Sequence, residues 1–156
     1  MPKPDPINPT DADARALAQQ LLAMTRFGAL AVTHPESGTP YVARVAMIWT
    51  DGAILSLIST LSTHTKALQA NPACAVLVGE PGVKGDPLTH PRMTLTCMAS
   101  LTDKAAFKGK WLNAIPKAQL YYDFTDFLMF RLTPQNIDLN GGFGKAFRLT
   151  PQDLLS

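Results

Sequence analysis

Charge is scarce in this chain. Asp, Glu, Lys and Arg make up 17% of its 156 residues, and Lys+Arg 14 against Asp+Glu 12 leaves a formal net charge of +2 at pH 7. No run of basic residues is available to follow a phosphate backbone or an anionic bilayer, so neither nucleic acid nor a membrane surface is expected as a partner. Long hydrophobic runs are missing as well. No apolar stretch approaches the roughly 20 residues of a membrane span. The N-terminus lacks the charged-then-apolar layout of a secretory signal, which makes the cytoplasm the expected location. Cysteine is limited to Cys74 and Cys97, both in apolar, strand-like stretches without metal-ligand spacing. They read as buried free thiols of a reducing compartment. The histidines are His34, His64 and His90; no two have helical metal spacing and none accompanies a carboxylate motif, so a multi-residue metal site is not expected. Gly-x-Ser-x-Gly is absent and neither cysteine has a histidine nearby in sequence, so no catalytic nucleophile stands out.

What remains is a 46% hydrophobic chain long enough for one real core. Residues 1–10, rich in proline, read as a flexible N-terminal arm, and 11–156 as a single domain. Low charge with many small apolar residues suits an extensive subunit interface. Thr10 to Asp13 resembles a capping box, and Ala14, Leu17, Ala18, Leu21 and Leu22 recur at helical spacing. Then the period changes to two. Ala29 to Thr33, Pro40 to Thr50 and Ala53 to Thr60 read as three antiparallel strands, with turns at His34–Gly38 and Asp51-Gly52. A helix follows and closes at Asn71-Pro72. Ala73 to Val78 and Arg92 to Thr102 are strands flanking a proline- and glycine-rich loop over 79–91. A helix from Asp103 to about Asn113 and a short piece from Pro116 precede the last strand. That strand is expected to run over Asp126–Leu132 and Ile137–Leu139, interrupted near Thr133-Pro134. Thr150-Pro151 opens a brief terminal helix. Short strands at hairpin spacing predict a mainly β fold with flanking helices, arranged as a closed or partly closed antiparallel barrel.

The chemistry concentrates in Leu57-Ile-Ser-Thr-Leu-Ser-Thr-His-Thr-Lys-Ala-Leu68. A strand ends in hydroxyls and restarts as a helix with Lys66 in its first turn. Unpaired helix-start N–H groups, the helix dipole and Ser or Thr oxygens suit a bound phosphate, although an ordinary capped helix has the same pattern. Arg44 lies mid-strand with no acidic residue close in sequence, and Arg92 opens a strand after the proline loop. With Ser59, Thr60, Thr65 and Lys66 these cations either converge on one anion or are separate solvated charges. Gly141-Gly-Phe-Gly144 lacks dinucleotide-loop spacing. It is better suited to backbone that approaches a ligand or a neighbouring subunit closely.

Taken together, Gly28-Ala-Leu-Ala-Val32, Pro40-Tyr-Val-Ala-Arg-Val45, the Leu57–Leu68 stretch, Asn71-Pro-Ala73, Gly85-Asp-Pro87, Pro91-Arg-Met-Thr-Leu-Thr96, Tyr122-x-x-Phe-x-Asp-Phe127 and Asn140-Gly-Gly-Phe-Gly-Lys-Ala146 form an ordered pattern. It resembles the pyridoxamine 5′-phosphate oxidase-related, FMN-binding split-barrel superfamily, and within it the haem-utilisation (HugZ-like) branch. The resemblance covers about residues 11 to 150. It implies a homodimer of six-stranded antiparallel split barrels, with FMN in clefts between subunits. Arg44, Ser59, Thr60, Thr65 and Lys66 would then meet the FMN phosphate. Arg92 would lie near the flavin, and Met47 with the backbone of Val45 near its ring system. Ile48-Trp49 stands where the oxidase subgroup has a basic residue, and its C-terminal Arg/His segment has no counterpart, which argues against vitamin B6 oxidation. Haem-degrading relatives carry further C-terminal sequence with a ligating histidine, whereas no histidine follows His90 here. The expectation is a flavin-dependent oxidoreductase acting on a small molecule. Its alternatives are a haem-binding or haem-degrading protein on the same fold, using one histidine for the iron, or a flavin carrier or sensor without turnover.

Overall fold

Apolar residues three and four apart from Ala14 to Leu22 demand a helix, and the alternation after them demands strands. The computed structural model, which describes residues 3–155, has both. Helix α1 (Ala12–Met24) buries Ala14, Ala18 and Leu22. Its cap is Asp11, whose carboxylate accepts from the Ala14 N–H at 2.8 Å, rather than the Thr10 box expected from sequence. A carboxylate satisfies both the free amides and the dipole at a helix start. Thr10 Oγ1 instead donates to the carbonyl of Arg148.

Strands β2 (Phe27–Thr33), β3 (Pro40–Ala46), β4 (Ile48–Thr50), β5 (Ala53–Ser59), β6 (Ala73–Val78), β7 (Arg92–Thr102) and β8 (Phe127–Asn140) follow. Hydrogen bonds run in the order β3–β2–β6–β7–β8; β5 pairs with the first half of β8 and β4 with β5. Since β3 and β4 are one bent strand broken at Met47, they join β2 on one side and β5 on the other. The ring is therefore a six-stranded antiparallel barrel. No ladder pairs β3 with β5 among the described residues; Ser56 Oγ donates to the Ala46 carbonyl at 2.7 Å where they meet. That unpaired seam is the split. The β4–β5 turn is tight because Asp51 and Gly52 both take positive φ, 52° and 76°.

Two details differ from the sequence expectation. The last strand is not interrupted at Pro134 but runs through it, and the neighbouring register shifts between Thr96 and Cys97, opposite Pro134. A local irregularity absorbs the N–H that proline cannot supply. The segment after Asp103 begins as a 3-10 turn over Lys104–Phe107 before α3 (Lys108–Ala114). Strand β9 (Ala146–Leu149) extends the second half of β8, and β1 (Ile7–Asn8) pairs parallel to β9, so part of the proline-rich arm lies along the sheet. Met1 and Pro2 of the arm, and Ser156, fall outside the described residues.

The interior is filled by residues including Leu30, Val45, Met47, Ile54, Ile58, Val76, Met93, Leu95 and Leu132, with α1 and α2 (Thr63–Ala70) contributing Leu22 and Leu68. A second cluster lies outside the barrel. There Ile48, Leu55, Leu57 and Met129 pack under Trp111, Ala118 and Tyr122 of α3 and the turns after it. No helix among the described residues is long and apolar enough to cross a membrane.

Candidate functional site

The β4–β5 register runs Ile48↔Leu55, Trp49↔Ile54 and Thr50↔Ala53. That ladder ends at Ile48 and Leu55, and beyond it β3 and β5 lie side by side without pairing among the described residues. Alternation puts Arg44 and Ser59 on the outward side, with Ile48, Leu55 and Leu57, while Val45 and Met47 point into the core. Arg44 on β3 and Ser59 and Thr60 at the end of β5 therefore border the same seam, and α2 follows from β5 and packs on β2 and β3. Val45 and Met47 offer a ligand only backbone. The Met47 side chain is fully buried and fills the space above Gly28, where an added Cβ would meet its sulfur at 3.0 Å and the Leu77 carbonyl at 2.7 Å.

Within the seam, some groups are committed and others are not. Ser59 Oγ donates to Asp126 Oδ2 at 3.2 Å and accepts from the Leu61 N–H at 3.1 Å, and the Thr60 N–H donates to the Asp126 carbonyl at 2.7 Å. Ser59 and Thr60 thus hold the turn. Asp126 is in turn held by its neighbours, since Lys104 Nζ donates to the carbonyls of Tyr122, Phe124 and Phe127 at 2.8, 2.7 and 2.8 Å. Sequence reading missed both Asp126 and Lys104 as site supports; the Phe-x-Asp-Phe spacing was the available signal for the first.

The uncommitted groups sit around α2. Ser62 makes no side-chain cap bond, so the first-turn amides lack the usual oxygen. Thr65 is fully buried and its Oγ1 has no hydrogen-bond partner, an arrangement that costs about 1–3 kcal/mol until a partner arrives. Lys66 is exposed, and Arg44 lies 5.8 Å from the Phe27 ring; neither joins an ion pair or hydrogen bond among the described residues. An uncapped helix start with two free cations and an orphaned hydroxyl fits a phosphate or carboxylate. His64, beside them and half-buried, has its pKa lowered by desolvation and is neutral at physiological pH.

Arg92 is elsewhere. It pairs with Asn140 at one end of β8, whereas Ser59 pairs with Phe127 at the other. Its guanidinium donates to the carbonyls of Leu88 and His90 at 2.8 and 3.3 Å and lines a cavity of ≈ 390 Å³ with Thr94, Asp138 and Arg148. One chain does not bring Arg92 to the α2 turn. Between the two places lies a sheet face that no helix among the described residues covers. The row Arg44–Ala29–Leu77–Thr94–Asp138–Arg148 crosses it in register. Phe27, Val42, Leu77 and Met98 are exposed there, Val42 at 63%.

The thiols offer no reactive group. Cys74 and Cys97 face each other across β6 and β7 as free cysteines, and burial pushes them up to about 11 and about 12. No group of three or more possible metal-binding side chains occurs among the described residues.

Comparison with known proteins gives a consistent picture, although no family model matches the chain. It is 35% identical over 102 residues to a non-canonical heme oxygenase of Arabidopsis thaliana chloroplasts, covering 62% of this chain and 30% of that protein. The match thus spans under a third of that relative's length. Heme oxygenase HutZ of Vibrio cholerae is 26% identical over 134 residues, 79% of this chain and 74% of that one. One solved chain shares 38% identity at a TM-score of 0.88, covering 94% of this chain and 98% of its own. A heme binding protein from Mycobacterium smegmatis shares 26% at 0.83, over 95% and 61%. A Clostridium acetobutylicum protein of the pyridoxinephosphate oxidase family, at 14% identity and a TM-score of 0.72 over 93% and 99%, has the same fold.

Proposed function

The chain belongs to the pyridoxamine 5′-phosphate oxidase-related split-barrel superfamily, in its haem-utilisation branch, and from that we propose that it binds haem between two copies of itself and acts in haem degradation. The observation that carries this reading is the uncovered sheet face. A porphyrin is a broad apolar plane with two carboxylates at one edge. The face offers Phe27, Ala29 and Leu77 as a flat apolar floor, with Arg44 at one border and Arg92 and Arg148 towards the other. Small side chains at Ala29, Ala31 and Ala75 let a planar ligand or a second sheet approach closely. The names of the two heme oxygenase relatives and the heme binding structure support the same ligand.

A homodimer completes this site. It covers exposed apolar residues that a monomer leaves wet, and it is the means by which Arg92 of one chain reaches the α2 turn of another. Haem bound there would supply the iron and the oxidisable ring; the residues of this chain would bind the carboxylates, exclude water and fix the plane.

The α2 turn favours a second reading, in which the same cleft takes FMN and the protein is a flavin-dependent oxidoreductase. The uncapped helix start, the orphaned Thr65 hydroxyl and the free Arg44 and Lys66 fit a phosphate monoester as well as a propionate. Hemin and FMN titrations of the purified chain separate the two. On the haem reading a Soret band sharpens at one hemin per chain, and it decays when an electron donor and oxygen are added. Quenched flavin fluorescence at stoichiometric FMN without hemin uptake would replace this reading with the second.

A further inference from the structure

The Gly141–Gly144 loop carries one large side chain, and no other ring on the surface is placed like it. Phe143 is 83% exposed, against 54% for Phe124, 42% for Phe27 and 37% for Tyr41. Each of those three has a neighbour. The Phe127 ring lies 6.4 Å from Phe124, the Arg44 guanidinium 5.8 Å from Phe27 and the His34 ring 5.9 Å from Tyr41. Phe143 has neither a ring nor a cation against it among the described residues.

A frayed loop tip would leave a phenyl ring wet in the same way, but this loop is tied down on both sides of Phe143. The Gly142 N–H donates to Asn140 Oδ1 at 2.9 Å, the Gly141 N–H to the Lys145 carbonyl at 2.8 Å and the Lys145 N–H to the Gly142 carbonyl at 3.1 Å. From β1, the Asn8 side-chain amide donates to the Gly144 carbonyl at 2.7 Å. Gly142 and Gly144 take φ of 123° and 70°, which a side chain would strain, and a Cβ on Gly142 would meet the Thr89 carbonyl at 3.1 Å. The tip is a built turn, and it holds an apolar ring in water.

Its position gives that ring a use. Phe143 lines a cavity of ≈ 310 Å³ with Leu88, Arg92, Asn140 and Lys145. Arg92, Asn140 and Ala146 also line the ≈ 390 Å³ cavity that contains Leu77, Thr94 and Asp138, so the two cavities adjoin at Arg92 and the second reaches the apolar floor. Leu77 pairs with Thr94 and Arg92 with Asn140. From Leu77 to Asn140 is therefore two strands across and two residues along, about 12 Å at about 4.8 Å between strands and about 3.3 Å per residue. A tetrapyrrole with its side chains is broad enough to span that distance.

We propose that Phe143 is a ligand contact, its ring packed against the rim of the bound tetrapyrrole so that it closes the Arg92 end of the floor. This rests on the haem reading and adds the residue that selects a broad, flat, apolar ligand there. Aromatic rings meet edge to face or offset, and such a contact adds to the area it buries. Arg92 beside it makes both of its carbonyl bonds through Nη1, which leaves the rest of the guanidinium for an acid group. One end of the face thus offers a ring to an apolar rim and a cation to a carboxylate.

Hemin titration of the full-length protein, with sedimentation of the same samples, tests the contact. Phe143→Ala is expected to weaken hemin binding about 10-fold while leaving self-association and the far-ultraviolet spectrum unchanged. Phe143→Tyr keeps a ring and is expected to retain the wild-type affinity. Leu120→Ala, at a site 81% exposed and outside both cavities, is expected to change neither measurement. Wild-type affinity in Phe143→Ala overturns the contact, as does equal weakening in Phe143→Tyr. Loss of self-association in Phe143→Ala also overturns it, by giving the ring to the second copy. A wild-type chain that takes up no hemin overturns the haem reading itself, and the wild-type spectrum alone tells that failure from the others.

Discussion

The barrel has two outer faces, and the chain treats them in opposite ways. Behind β4, β5 and the first half of β8, outward positions carry Ile48, Leu55, Leu57 and Met129, and the chain covers them with Trp111, Ala118 and Tyr122. Across β3, β2, β6 and β7, outward positions carry Ala29, Ala31, Ala75, Thr94 and Thr96 with scattered Val42, Leu77 and Met98, and no helix among the described residues covers them. Large aliphatics suit a permanent roof, because interdigitated packing requires volume on both sides. Small residues with a few exposed apolar ones suit a flat partner. The proposed ligand and partner belong to the side the chain leaves unfinished.

Breaking the roofed face should have the largest effect. Trp111→Ala opens a cavity in a fully buried position and is expected to cost about 3–5 kcal/mol in urea denaturation. On the bare face, Leu77→Asp is expected to abolish self-association in analytical ultracentrifugation while leaving the far-ultraviolet spectrum unchanged. A folded dimer in that variant would place the interface elsewhere. At the border of the bare face, Arg44→Ala combined with Lys66→Ala removes two charge-assisted contacts and is expected to weaken hemin or FMN binding by about 10- to 100-fold in titrations. Unchanged affinity would put the anion away from α2.

The smallest effect returns to the roof. Tyr122→Phe removes a phenol that donates to the Lys104 carbonyl and should cost about 1 kcal/mol. The same phenol sets an alkaline limit. Burial first, then the charges of Asp123 and Asp103, push its pKa up to about 12. An acid whose folded value is raised contributes stability that is fully present below its unfolded value near 10 and is lost as pH rises through about 12. Phenolate absorbance and unfolding should therefore coincide in that window, and the Phe variant should lose the coincidence.

Much of this contrast was legible before the fold. The alternating strands, the Asp51-Gly52 turn and the helix start at Thr150-Pro151 all follow from local rules, and the structure contains each. Arg44 and the α2 hydroxyls were legible as candidates, because each residue type stands out in its own element, but their placement depends on a seam between β3 and β5 that no ladder fixes. The place of Arg92 was not legible, since its distance from Ser59 is set by the unbroken length of β8, and Pro134 suggested a break there. Asp126 and Lys104 were hidden for a different reason. Their bonds are to backbone, and backbone partners leave no mark in side-chain pattern. The uncovered face was only hinted at by low charge, because composition counts residues without saying which side of a strand they occupy.

Lys104 has a consequence of its own. An ammonium has three N–H donors, and here all three end on carbonyls within 2.8 Å. It therefore behaves less as a side chain than as a knot in the main chain, tying 122–127 as a bound cation would. Amine-directed reagents that modify the exposed lysines at neutral pH should pass this one by for as long as the loop keeps its shape. Its acquired reactivity would be an early, local sign that the turn supporting Ser59 and Thr60 has let go.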